Sequence, residues 1–133
     1  MGLQVEDTAE IVLRFDPREG ASGAIASVHL DYLQQPATHT LEIIGTQGTL
    51  RWNNADGSLA IFRSGGQDWQ VETPPDGFER NWLFMEEMRN FLAVARGEAQ
   101  PACTLADGLR ALEISLAARD SALDGQVKTL KGI

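Results

Sequence analysis

Cysteine is almost missing from this chain. Cys103 stands alone, so no internal disulfide can form, which agrees with a reducing compartment. Basic residues are few: 11 Lys and Arg against 19 Asp and Glu, a formal net charge of −8. Phosphate binding needs clustered cations, and the scattered ones here argue against a nucleic-acid partner. The acidity serves solubility. No apolar run approaches the roughly 18 residues that span a membrane. The opening Met1-Gly2-Leu3-Gln4-Val5-Glu6-Asp7 lacks the basic-then-apolar pattern of a secretory signal, so a cytoplasmic location is expected. Gly-x-Gly-x-x-Gly and Gly-Lys-Ser/Thr are also absent.

What is present suits one globular domain, expected to cover residues 1–133. Apolar residues make up 43% of the 133 positions, and a chain of this length can build one core without covalent staples. Thr8–Phe15 alternates, with Ala9, Ile11, Leu13 and Phe15 on one face, as a half-covered strand does. Gly23–Leu33 carries apolar residues on both faces, the pattern of a strand covered twice. His39–Ile44, Thr49–Asn53, Leu59–Arg63 and Trp69–Glu72 complete six strands. They are separated by Gly45-Thr46-Gln47-Gly48, Asp56-Gly57 and Gly65-Gly66. Thr73-Pro74-Pro75-Asp76-Gly77 ends the strand region.

The period then changes from two to 3.6. Phe84, Met88, Phe91 and Ala95 recur at helical spacing between about Glu79 and Arg96, with Gly97 as a terminal cap. Thr104 and Asp107 form a capping-box pattern ahead of a second helix, striped by Leu105, Leu109, Leu112 and Leu116 and ended by Gly125. Val127–Leu130 reads as a closing strand. The expected class is α+β: a largely antiparallel sheet of about six strands, two C-terminal helices packed on one face, and a short last strand.

Little in the sequence carries chemistry. The glycines of Gly45–Gly48 join two strands, whereas a phosphate loop delivers its anion to a helix N-terminus. Cys103 precedes a helix but has no histidine near it in sequence, and reads as a linker residue. His29 and Asp31 are two apart on a strand and share a face. With His39 they offer a weak metal-dependent alternative, but two ligands do not make a site, and a structural or interface pair is the simpler reading. Glu86 and Glu87 diverge by about 100° on a helix and read as a solvated face. The aromatic residues Trp52, Phe62, Trp69, Trp82, Phe84 and Phe91 suit a core or a sugar-stacking platform. No catalytic residue and no metal site is assigned.

Four stretches, in this order, resemble the C-terminal domain of the Gfo/Idh/MocA oxidoreductases, the glucose–fructose oxidoreductase and inositol dehydrogenase family. They are Val5–Ala9 leading into an alternating strand, the hairpin Leu41–Leu50, the segment Phe84–Phe91 with Gly97 and Pro101, and Asp107–Ala122 with Gly125-Gln126-Val127. The resemblance implies an N-terminal Rossmann half that binds NAD or NADP, with a lysine beside the nicotinamide and an Asp and a His ahead of the sheet. None of these has a counterpart in this chain, which is expected to begin after that region. It therefore implies a substrate-side and oligomerisation domain of a sugar or polyol oxidoreductase, inactive alone and binding no cofactor itself. The alternative is a standalone assembly or ligand-binding module without redox activity.

The resemblance places Gln34–His39 near the substrate, with Gln35, Thr38 and His39 as substrate-facing candidates. Some polyol-binding relatives have tyrosines there, and this segment has none. It also gives the other sheet face to subunit contacts in a homo-oligomer, with Ile25, Ser27, His29, Asp31 and Leu33 as candidates.

Overall fold

The computed structural model describes residues 7–20 and 22–130. Val5 and Glu6 of the lead-in stretch lie outside them. The chain divides into two units, Met1–Phe78 and Glu79–Ile133. The first holds six strands in two antiparallel sheets and the second holds two helices, an α+β architecture.

Strands β1 (Thr8–Phe15) and β2 (Ala24–Asp31) form a two-stranded ribbon. Its register pairs Thr8 with Asp31 and Phe15 with Ala24. Directly opposed residues share a face. One face therefore carries Ala9–Leu30, Ile11–Val28 and Leu13–Ala26, and the other Glu10–His29, Val12–Ser27 and Arg14–Ile25. The alternation expected for the first strand holds as far as Arg14: Ala9, Ile11 and Leu13 are half-buried and Thr8, Glu10, Val12 and Arg14 are exposed, but Phe15, expected on the covered face, is exposed.

The second sheet runs β3 (Thr40–Gly45), β4 (Gly48–Asn53), β5 (Leu59–Arg63) and β6 (Gln70–Glu72), in that order. Leu41, Ile43, Leu50, Trp52, Leu59 and Ile61 line one face. Glu42, Ile44, Arg51, Ala60, Phe62 and Val71 line the other. Strand β4 lies in the interior of this sheet, and its first residue sets how closely it can approach β5. Gly48 has φ +145°, and a Cβ built there would lie 2.0 Å from the carbonyl oxygen of Phe62. The Asp56-Gly57 turn joins β4 to β5, with the Asp56 carboxylate accepting from Ser58 N–H at 2.9 Å.

Two features differ from the sequence expectation. The strands divide into sheets of two and four, with no ladder joining β2 to β3. Asp31 accepts from Leu33 N–H at 2.6 Å, so the backbone turns as soon as β2 ends. Val127–Leu130 is also not a strand: its residues have β propensity but no ladder partner among the described residues.

Helix α1 spans Asn81–Ala95. It ends in a Schellman motif: Gly97, at φ +76°, donates to Val94 C=O and Glu98 donates to Ala93 C=O. Helix α2 spans Leu105–Asp124 and opens with the expected capping box. Asp107 N–H donates to Thr104 Oγ1 at 3.2 Å, and Thr104 N–H donates to the Asp107 carboxylate at 2.8 Å. The Thr104 hydroxyl and N–H both donate to this carboxylate and hold Asp107 below the ordinary value of 3.8. None of the described residues is buried in the chain.

Substitution tests these local determinants. Gly48→Ala should cost on the order of 3 kcal/mol or more, because the carbonyl clash adds to backbone strain. Gly65→Ala, at φ +78° in open space, should cost only about 1 kcal/mol by chemical denaturation. Thr104→Ala should cost about 1 kcal/mol of helix stability. A lowered folded-state pKa makes the Asp107 contribution complete above pH 3.8, and it is lost as pH falls through the lower folded value. Far-UV circular dichroism on acidification below 3.8 should therefore change less in Asp107→Asn than in the native chain.

Candidate functional site

The predicted substrate-facing segment leaves β2 through the Asp31–Leu33 turn and enters β3. Its Gln35–Pro36 peptide is cis. Gln34 Nε2 donates to the Thr38 hydroxyl at 2.9 Å. His39 meets Trp52 edge-on, with ring centroids 5.1 Å apart and an interplanar angle of 86°. Its carbonyl accepts from Asn54 N–H at 3.0 Å. The segment therefore fixes two of its three candidates, Thr38 and His39, by short-range contacts. Gln35 and Thr38 are exposed, as is His39.

The interface candidates divide. Ile25, Ser27, His29 and Asp31 share one face of the ribbon, opposite Arg14, Val12, Glu10 and Thr8. Leu33 lies past the end of β2 and is exposed. Val12 and Ile25 are 71% and 74% exposed on this face. His29 is paired with Glu10, its cross-strand neighbour, at 2.5 Å from Nδ1, and not with Asp31. Asp31 spends an oxygen on the Leu33 turn. Among the described residues, no group of three His, Cys, Asp or Glu is placed to hold a metal ion.

A second cluster, missed from sequence, lies on the four-stranded sheet. Arg51 pairs with Glu42, its neighbour on β3. The same guanidinium lies over the Trp69 ring, 4.7 Å from its centroid. Phe62 packs at 5.5 Å against that ring. These contacts depend on register, which no local pattern reveals. Cation–π and ion-pair contacts use Arg51 as a bracket between β3 and the segment before β6, and Trp69 is engaged by two neighbours.

Asn90 is another residue whose role was hidden. From α1 its side chain accepts from Ala102 N–H at 3.2 Å and donates to Gln100 C=O at 3.4 Å. It ties the Pro101 linker back to the helix. Cys103 is exposed at the end of that linker, and its thiol faces the Thr104 carbonyl. Glu86 pairs with Arg89 on the α1 surface, as a solvated face permits.

The Gly45–Gly48 turn joins two strands, and the N-terminus of α2 already has a carboxylate, Asp107, at its first turn. A pyrophosphate would compete with that charge. Among the described residues, no helix is long and apolar enough to cross a membrane.

A double-mutant cycle on Arg51→Ala and Trp69→Ala should return a coupling of about 0.5–1 kcal/mol by thermal or urea unfolding.

Comparison with curated proteins gave no match, and neither did comparison with solved structures. A family model does match, described as the oxidoreductase family C-terminal alpha/beta domain, over residues 1–130. The strand-rich half and the helical half both fall within that span, and the chain belongs to the Gfo/Idh/MocA oxidoreductase family as its C-terminal domain.

Proposed function

We propose that this domain is the substrate-side and oligomerisation part of an NAD(P)-dependent sugar or polyol oxidoreductase, and that it is not catalytic by itself. The observation that carries the reading is the family match across residues 1–130. In such a protein a separate Rossmann half would bind the nicotinamide cofactor, which supplies the hydride chemistry. This domain would shape the substrate pocket and hold subunits together.

Two features support that division of labour. The charged groups of this chain are largely committed to local structure: Glu10 to His29, Glu42 to Arg51, Asp107 to a helix cap, and Asp124 to Lys128 and the Gln126 N–H. None of these pairs resembles a nucleophile with its base. The second feature is the outward face of the ribbon, where Val12 and Ile25 flank Ser27 and His29. A second copy placed there would remove two large aliphatic side chains from water. The segment Gln34–His39 is the proposed approach to the substrate.

Titration of the isolated chain with NADH and NADPH should show no saturable fluorescence change at micromolar concentration. Saturable binding would overturn the separation of the cofactor half from this domain. Size-exclusion chromatography with light scattering should give a dimer or larger, and Ile25→Asp should shift it towards monomer while far-UV circular dichroism stays unchanged. A strict monomer at high concentration would remove the oligomerisation role and leave the substrate role standing.

A further inference from the structure

We draw no further inference here: the strongest candidate, the exposed leucine seam of α2 formed by Leu105, Leu109, Leu112 and Leu116, carries nothing because nothing in the structure shows what covers it.

Discussion

The close approach of β4 to β5 is the constraint on which the larger sheet depends. Gly48 begins β4 at a point where it opposes Gly45 on one side and Arg63 on the other. A side chain at this position would meet the Phe62 carbonyl before the ladder could close. Once the ladder closes there, the register follows by steps of two. Glu42 comes opposite Arg51, Arg51 opposite Ala60, and Ala60 opposite Val71. A slip of one residue would send Leu50 and Trp52 to the charged face and Arg51 to the apolar one. The ion pair of Arg51 with Glu42 and its stacking on Trp69 are consequences of this register, and they reinforce it.

The same register leaves a cost. Apolar rows formed by pairing strands gain little unless something lies on them, because hydrophobic stabilisation scales with area removed from water. In the ribbon, Ala9, Ile11 and Leu13 are half-buried, whereas Val12 and Ile25 on the reverse face remain open. A two-stranded ribbon is marginal alone in water. Within the ribbon, covering Val12 and Ile25 would remove apolar area from water.

Local signals were legible and long-range ones were not. The strand Thr8–Phe15, the Thr104–Asp107 box and the Gly97 cap all appear where residue chemistry alone puts them, because each is decided within a few residues. The division into two sheets was invisible, since whether β2 pairs with β3 depends on non-local hydrogen bonds. Val127–Leu130 shows the same limit in reverse: composition favours a strand, but a strand exists only with a partner. His29 was read with Asp31 because two residues on one strand share a face. Its actual partner, Glu10, is 19 residues away in sequence and directly opposite in register. The role of Asn90 in holding Gln100 and Ala102 had no sequence signal at all, because a polar residue off the apolar stripe looks solvated until a loop returns to it.

These commitments bear on how chemistry is divided in such a protein. A general base or nucleophile needs a partner that tunes it and an open side that a substrate can reach. Here Asp56 and Asp107 are held below the usual carboxylate range by hydrogen bonds from Ser58 and Thr104, and Asp124 by Lys128 and then the Gln126 N–H. A carboxylate stabilised in its charged form in this way is a poorer proton acceptor. Those hydrogen bonds also shape the β4–β5 turn and the two ends of α2, so releasing a carboxylate for catalysis would loosen the element that positions it. Gln35 carries no such obligation. It is an exposed amide between a turn and a strand, able to donate and accept towards a hydroxyl without upsetting a cap. Under the function proposed above, that freedom would serve recognition of a substrate hydroxyl, with another domain supplying the reaction.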